Sequence, residues 1–424
     1  MAREMKDSGI EWIGMIPFNW EIAKLSYFFD IQLGKMLQPE SRGIDDTLEY
    51  YLCAANLGKN SLNLDTLKQM WFSPNEKDKF GVRKGDLLVV EGGDVASCDI
   101  VNDDVHDIYI QNALHRVRSK AGYDLRLLRY YLIFAKACGY IDLICNKATI
   151  AHFTKDKFSS MPYPVLSFEE QNEIADYLDR ECSRIDSVIE QTRASIEEYK
   201  KLKQAIITQA VTKGIIPNRE MKDSGIEWIG EMPDNWETKK LKYLSDFMQT
   251  KYCSDEGDLN YIGLENITGW NGCYIETESV YDRDQALICD AGDILFGKLR
   301  PYLAKVYISP EKQCCSGEFA VIRIHEGLCR KFFWYQLISH GFIFMVDRST
   351  YGTKMPRANV DYIKNISMAV PPIKEQIEIV ECLNQKCTDM ESLIQSKQQF
   401  ILELESYKKS LIFEYVTGKR EVPA

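Results

Sequence analysis

Basic, hydroxyl and aromatic side chains in two stretches of each half of the chain have the right chemistry for reading duplex DNA. An Arg can bind guanine with two hydrogen bonds, and a Lys or Thr can hold phosphate oxygens. In the second half these side chains are Lys298, Arg300, Tyr302, Lys305, Tyr351, Thr353, Lys354 and Arg357. In the first half they are Lys147, Thr149, His152 and Lys155, with Lys35 and Arg42 as similar candidates nearer the N-terminus. For any one of these residues the ordinary alternative is a solvated surface side chain.

The motifs of three enzyme classes are missing or incomplete. A DNA methyltransferase needs an Asn or Asp before a Pro-Pro-aromatic turn, and Pro371-Pro372 has neither that residue nor the ring. Asp234 and Glu237 resemble part of a nuclease motif, but they are too close in sequence to lie on two adjacent strands around a metal. The chain has no Walker lysine loop. We therefore expect a protein without catalytic residues of its own.

Neither the cysteines nor the histidines suggest a metal or cofactor. The 13 cysteines are scattered without a C-x-x-C pair, and the five histidines do not cluster with Cys or carboxylates at ligand spacing. No stretch approaches about 18 apolar residues, and the first residues lack a hydrophobic signal core. We expect no metal, no cofactor, no membrane association and a cytoplasmic location. The net charge of -11 argues against a surface that is basic throughout, but it leaves room for local DNA contacts.

An internal repeat organises the chain. The decapeptide MKDSGIEWIG occurs at residues 5–14 and again at 221–230, and each copy is followed by a matching Pro and Asn-Trp. The matches continue through Gly-Asp-hydrophobic segments at 85–88 and 292–295, with a separation that falls from 216 to 205 residues. Small changes in loop length explain this drift. The sequence therefore predicts two copies of one domain.

A long segment without Pro or Gly follows each copy, at 167–213 and 373–417. Apolar residues recur at heptad-like spacing in both, which predicts long helices that pack along their length. Two ordinary core helices are the alternative, but helices beyond about 25 residues rarely stay inside one core. The residues assigned to the coil and to subunit docking are Ile185, Ile189, Ile196, Leu202, Ile206, Leu393, Phe400, Leu404 and Leu411.

These features resemble the specificity subunit of type I restriction-modification enzymes. The resemblance is carried by the repeated MKDSGIEWIG segment, by Gly292-Asp293-Ile294-Leu295 with the following run to Tyr302, and by the helix starts at 168–171 and 372–376. It covers essentially the whole chain. It implies that each domain reads one half of a bipartite, asymmetric sequence in double-stranded DNA. It also implies that the helices dock two DNA methyltransferase subunits and, through them, the nuclease-translocase.

The predicted fold is α+β and pseudo-two-fold symmetric. Two similar mixed α/β target-recognition domains are separated by two long helices that pair as an antiparallel coiled coil. The predicted segments are 1–165 and 217–371 for the domains, and 166–216 and 372–424 for the spacer helices. Residues that agree between the copies should form the scaffold, whereas the divergent segments 91–116, 297–320, 145–153 and 349–358 should carry specificity. A two-headed protein scaffold that does not read DNA is the alternative function, and the acidic net charge favours it slightly.

Overall fold

The computed structural model describes residues 3–58, 61–120, 122–145, 152–253, 259–277, 285–352 and 354–423. The chain divides into two compact units. The first comprises Met1–Gln191 with Gln399–Ala424, and the second comprises Thr192–Gln398. Each unit contains one globular head and parts of both long helices. This division cuts through the helices, and the four sequence segments given above remain a proposal about domain boundaries.

The head of the first unit contains thirteen strands and four short helices among its described residues. The strands are β1 (Met5–Asp7), β2 (Met15–Pro17), β3 (Glu21–Lys24), β4 (Phe29–Leu33), β5 (Thr47–Leu52), β6 (Leu57–Gly58), β7 (Ser61–Leu62), β8 (Lys68–Phe72), β9 (Leu87–Val90), β10 (Cys98–Ile100), β11 (Ile108–Ile110), β12 (Leu114–Ser119) and β13 (Pro162–Val165). The helices are α1 (Pro74–Phe80), α2 (Leu125–Ala137), α3 (Tyr140–Ile144) and α4 (Lys155–Ser160).

The long helix α5 (Phe168–Lys213) follows the first head, and α9 (Ile373–Val416) follows the second. The strands of the second head are β14 (Met221–Asp223), β15 (Glu231–Pro233), β16 (Glu237–Lys240), β17 (Ser245–Met248), β18 (Tyr261–Ile262), β19 (Leu287–Cys289), β20 (Ile294–Gly297), β21 (Val306–Ile308), β22 (Gln313–Cys315), β23 (Phe319–Ile324) and β24 (Ser367–Val370). Its helices are α6 (Arg330–Leu337), α7 (His340–Arg348) and α8 (Val360–Asn365).

The two heads share the strand order of their four-stranded sheet, which confirms the predicted repeat. A four-stranded antiparallel sheet has the order β10-β9-β12-β4 in the first head and β21-β20-β23-β17 in the second. A three-stranded sheet lies beside it in each head and contains one parallel pair, β5 with β11 or β18 with β22. The antiparallel third strand pairs with β5 in the first head and with β22 in the second.

An ion pair with a buried aspartate is repeated in both heads, where the aspartate directly precedes β9 or β20. Arg118 on β12 donates to Asp86 at 2.6 and 2.7 Å, and Arg323 on β23 donates to Asp293 at 2.7 and 2.8 Å. Both aspartates are about 2% exposed or less. A carboxylate is buried at this depth only when it is paired. These matched residues therefore belong to the scaffold, as their agreement between the copies predicts.

The two long helices run antiparallel in each unit. In the first unit, the Tyr177 ring lies 4.5 Å from that of Tyr415, and Lys408 Nζ lies 2.6 Å from an Asp186 carboxylate oxygen. In the second unit, the Lys397 ammonium lies 5.6 Å from the centre of the Tyr199 ring, and Lys203 Nζ donates to Glu391 at 2.6 Å. Residue numbers thus rise along α5 where they fall along α9. The predicted antiparallel helix pair is confirmed.

The packed face of the helices differs in part from the predicted stripe, which is the set of heptad-spaced residues assigned above to the coil and to subunit docking. The buried members are Ile185, Ile189, Ile196 and Leu411, and the half-buried ones are Ile206 and Leu404. Three further members, Leu202, Leu393 and Phe400, lie outside the packed face, at 48, 39 and 45% exposure. In a straight α-helix, the side-chain direction rotates by about 20° with each heptad. Residues chosen at a strict seven-residue spacing therefore move gradually off the face that contacts the other helix. On α5 the count reaches Ile206, whereas the fully buried residue is Ile207.

A duplicated tryptophan fastens each head to the first turn of its helix. Trp20 Nε1 donates to Glu170 at 2.9 Å, and Trp236 Nε1 donates to Glu375 at 3.1 Å. Both indoles are fully buried, as expected for core residues. The same glutamates accept from the guanidinium groups of Arg3 and Arg219, respectively. The repeated sequence thus builds the junction between a head and its helix.

Glycine is required where α9 ends against the first-head tryptophan. Gly418 has φ +66°, and a Cβ at this position would lie 2.5 Å from Pro17 and 2.8 Å from Trp20. Gly214 has φ +76° just after α5 and lies near Trp236 in the second unit. Both glycines terminate their helices in the left-handed conformation, which a residue with a Cβ rarely adopts.

Replacing Glu375 by Leu should lower the free energy of unfolding of the second unit by about 3 kcal/mol. The change leaves the Trp236 indole N–H and the Arg219 guanidinium without their buried acceptor. Glu381→Leu is the matched control, because Glu381 lies on the same helix and is exposed. Urea unfolding curves of the two variants measure the difference. Equal stability of the two variants would contradict a structural role for the Glu375 junction.

Candidate nucleic-acid interface

Two divergent segments meet in the second head. The Lys298 N–H, directly after β20, donates to the Glu318 carbonyl at 2.8 Å, and the Ala358 N–H donates to the Lys298 carbonyl at 2.8 Å. The Arg300 N–H donates to the Pro356 carbonyl, also at 2.8 Å. We call residues 298–305 with 351, 352 and 354–358 the second loop pair. Backbone hydrogen bonds hold these loops side by side, although about 50 residues separate them in sequence.

The second loop pair brings most of the predicted DNA-contact residues of this head together. The exposed ones are Arg300, Tyr302, Tyr351, Lys354 and Arg357. Arg300 has a left-handed backbone, with φ +51°, which is uncommon for a residue with a side chain. Lys298 is half-buried, and this burial lowers the pKa of its ammonium group. Thr353 lies outside the described residues.

Two charged residues of this head are already engaged. Arg357 Nη2 donates to Glu318 Oε1 at 2.5 Å, although the Arg357 side chain remains 47% exposed. Lys305 is half-buried, and its Nζ donates to the Leu264 carbonyl at 2.7 Å. Lys305 therefore ties the loop after β20 to the residues after β18. Its predicted DNA contact remains a prediction and would require this hydrogen bond to break.

The first head holds an equivalent pair of loops. The Phe153 N–H donates to the Glu91 carbonyl at 2.8 Å, and Gly92 forms a β-bridge with His152. His152 Nδ1 lies 3.0 Å from a Glu91 carboxylate oxygen. We call residues 91–97 and 152–155 the first loop pair. Lys155 is exposed at its edge.

The remaining first-head candidates lie elsewhere in the head or outside the described part of the chain. Arg42 is exposed in the segment between β4 and β5, where its backbone N–H donates to Asp46 at 2.8 Å. Lys147 and Thr149 lie outside the described residues. The DNA contacts of these residues therefore stay predictions.

The prediction that Lys35 contacts DNA is wrong. Lys35 is only 6% exposed, and its Nζ donates to the Trp71 carbonyl at 2.8 Å and to Glu76 at 2.5 Å. Its ammonium also lies 5.0 Å from the centre of the Phe72 ring. A buried ammonium with these partners cannot reach a phosphate without leaving the core. Lys35 therefore stabilises the first head.

A buried histidine supports the first loop pair. His115 on β12 is fully buried, and its Nε2 lies 2.7 Å from the Phe153 carbonyl. Because a carbonyl only accepts, Nε2 carries the hydrogen. Burial lowers the pKa of the His115 imidazole, which is therefore neutral in the folded chain near neutral pH.

The first unit should lose stability as the pH falls below about 6.5, the ordinary pKa of histidine. The unfolded chain then binds a proton at His115 that the folded chain does not, so acid favours unfolding. The slope from this residue is at most about 1.4 kcal/mol per pH unit. Urea unfolding at pH 7.5 and 5.5 should show a smaller difference in the variant His115→Gln than in the original chain. The same pH dependence in both proteins would contradict this assignment.

Sequence reasoning missed two carboxylates at the reading loops. Glu91 and Glu318 lie in the divergent segments, where the predicted DNA contacts are basic, hydroxyl and aromatic side chains. Glu91 immediately follows the matched Gly-Asp-hydrophobic strand, and this position in the sequence could have pointed to it as a residue of the loop pair. Their partners, His152 and Arg357, lie 61 and 39 residues away in sequence.

Comparison with known proteins identifies the family. The model of the type I restriction modification DNA specificity domain matches residues 17–198 and 233–402, which is most of the chain and covers both heads. The chain belongs to this family. The general role of type I specificity subunits is recognition of the DNA target, and they are generally not catalytic.

The relatives include two specificity subunits from one organism. The MjaVIII specificity subunit of Methanocaldococcus jannaschii is 27% identical over 289 residues, which cover 64% of this chain and 65% of that subunit. The putative MjaX specificity subunit of the same organism is 26% identical, over 97% of this chain and 96% of the relative. The match to the first relative thus spans slightly less than two thirds of its length, whereas the match to the second is nearly complete.

Two solved structures share the fold. One comes from work on complex assembly and conformational transition of the type I R-M system, with a TM-score of 0.71 and 14% identity over 96% of this chain and 99% of that chain. The other is the HsdS subunit from Thermoanaerobacter tengcongensis, with a TM-score of 0.53 and 14% identity over 96% of this chain and 98% of that chain. At this identity the likeness shows the fold alone. Among the described residues, no helix of this specificity-family chain is long and apolar enough to span a membrane.

Proposed function

We propose that the chain is the DNA-recognition subunit of a type I restriction-modification complex and reads a bipartite, asymmetric target. Each head contacts one half-site of double-stranded DNA through its loop pair. The observation that carries the proposal is the same in both heads: a shared scaffold presents two sequence-divergent loops side by side. This arrangement lets two copies of one fold recognise different bases.

The charges of the second loop pair support contact with DNA. The second loop pair carries four cationic residues in a chain whose net charge is -11, namely Lys298, Arg300, Lys354 and Arg357. Of these, Arg357 binds the Glu318 carboxylate. Most hydrogen bonds between proteins and DNA go to phosphate and sugar, and Arg and Lys supply many of them. The acidic remainder of the chain disfavours nonspecific coating of DNA, so a local cluster of cations is what selective binding requires.

The helices are proposed to dock two methyltransferase subunits and, through them, the nuclease-translocase. In the second unit, Leu202 on α5 and Leu393 on α9 are exposed. In the first unit, Phe400, Leu402 and Tyr407 on α9 are exposed, at 45, 60 and 53%. Apolar side chains outside the packed face of a helix offer a surface that a partner helix can cover. This assignment gives the exposed members of the predicted stripe a role in docking.

The proposal is tested by DNA binding of the full chain assembled with its methyltransferase subunits. Binding to a duplex that contains the target should weaken steeply between 50 and 200 mM salt, because each phosphate contact releases counterions. A scrambled duplex of the same length should bind at least about 1,000-fold more weakly. Equal binding to both duplexes, or binding that salt does not change, would favour a protein scaffold that does not read DNA.

A further inference from the structure

One backbone position is equivalent in the two heads but carries opposite charge. Glu91 directly follows β9, and Lys298 directly follows β20. The Glu91 N–H donates to the Ala113 carbonyl, and the Lys298 N–H donates to the Glu318 carbonyl, both at 2.8 Å. The carbonyl groups of Glu91 and Lys298 in turn accept from Phe153 and Ala358, again at 2.8 Å. The scaffold therefore places a carboxylate in one head where it places an ammonium in the other.

In the first head, the neighbours of Glu91 leave it a hydrogen-bond acceptor. In the first head, His152 Nδ1 lies 3.0 Å from the Glu91 carboxylate. Because a carboxylate only accepts, Nδ1 donates this bond, and the Glu91 oxygens keep further acceptor capacity. The Glu91 side chain is 14% exposed. The site of the first head therefore offers acceptors at its centre.

The second head offers hydrogen-bond donors at the equivalent position. Lys298 interacts electrostatically with both Glu318 and Arg357. Glu318 Oε1 holds Arg357 at 2.5 Å, whereas within the described part of this unit Glu318 Oε2 is buried without a hydrogen-bond partner. A G·C pair presents the guanine N7 and O6 acceptors beside the cytosine N4 amino group in the major groove. The Lys298 ammonium and the Arg357 guanidinium complement the guanine acceptors of that edge.

We infer that position 91/298 determines specificity and sets the class of base that each head reads. Glu91 selects a base whose major-groove edge presents an amino group, adenine or cytosine, and Lys298 selects guanine. The inference rests on the proposed function, because it assigns bases to the same reading surfaces. Carboxylates accept from cytosine N4, and Lys or Arg donate to guanine O6 and N7.

The simpler role for these residues is structural or electrostatic. Glu91 could only hold His152, and Lys298 could only contact a phosphate. A phosphate contact weakens binding uniformly across sequences when it is removed and reduces the salt dependence, whereas removal of a base contact changes the preference at one position of the target. Selection from a random duplex library separates the two roles.

The experiment uses the full-length chain with the methyltransferase subunits that it is proposed to dock. Bound duplexes are selected from the library at two salt concentrations and sequenced, for the original chain and for the variants Glu91→Ala and Lys298→Met. Each variant should lose about 5- to 100-fold of its preference at one position in one half-site, with the other half-site unchanged. Lys298→Arg should keep the guanine preference and shows that a correctly folded head still reads this position.

Matched controls remove the same type of side chain at exposed positions outside the loop pairs. Glu169→Ala at the start of α5 and Lys240→Met on β16 should leave both half-sites unchanged. Uniform weakening across sequences in Lys298→Met, or unchanged base preferences in both test variants, would overturn the inference while leaving DNA reading intact. If the original chain selects no sequence at either salt concentration, the proposed function fails and this inference fails with it.

Discussion

Replacing Arg300, Lys354 and Arg357 together by alanine should lower affinity for the target duplex by at least about 100-fold. The three side chains are exposed on the second loop pair, and removing one DNA-binding side chain of this kind costs about 1 to 3 kcal/mol. The slope of log affinity against log salt should also fall by about 0.9 for each phosphate that the variant no longer neutralises. Fluorescence anisotropy with a labelled duplex at several salt concentrations measures both effects.

The control for this variant removes the same charge from another surface of the same head. Lys239, Lys240 and Lys242 are on and just after β16, away from the second loop pair in sequence. Their triple replacement by alanine should change affinity only a few-fold, through the general field of the protein. Equal losses in the two triple variants would show that net charge, and not the loop pair, accounts for binding.

Ile196→Asp should destabilise the second unit by at least about 4 kcal/mol. Ile196 is 5% exposed on α5, so the substitution removes buried apolar volume and places an unpaired charge between the long helices. Leu202→Asp is the matched control on the same helix, because Leu202 is 48% exposed. Its effect should stay within about 0.5 kcal/mol.

Urea unfolding followed by circular dichroism compares these two variants. The midpoint of Leu202→Asp should nearly equal that of the original chain, whereas the midpoint of Ile196→Asp should be much lower. A large loss of stability in Leu202→Asp would support the strict heptad stripe that the sequence predicts. Wild-type stability in Ile196→Asp would show that the helices do not depend on this packed face.

The long helices could be predicted closely because their signals are local. The segments 167–213 and 373–417 contain neither Pro nor Gly, and the helices occupy Phe168–Lys213 and Ile373–Val416. The repeat was also predictable, because matched residues such as Asp86 and Asp293 recur along both halves of the sequence. In the structure these two aspartates pair with matched arginines. Local pattern and internal comparison therefore sufficed for the architecture.

The buried faces and the reading loops could not be predicted from local sequence. Lys35 is basic and close to a loop, yet its partner Glu76 lies 41 residues further along the chain. Glu91 meets His152 across 61 residues. A residue type shows which contacts a side chain can make, but only the tertiary structure decides whether a partner or solvent meets it.

Base-resolution methylation mapping tests the central claim, that each head reads its own half-site, most directly. The chain and its methyltransferase subunits are expressed in a host without other methyltransferases, and the map is repeated after residues 231–371 are exchanged for the equivalent head of a relative. We predict a bipartite, asymmetric motif with an unread spacer, in which the exchange alters one half-site and leaves the other unchanged. A continuous motif, or an exchange that alters both half-sites, would contradict the account.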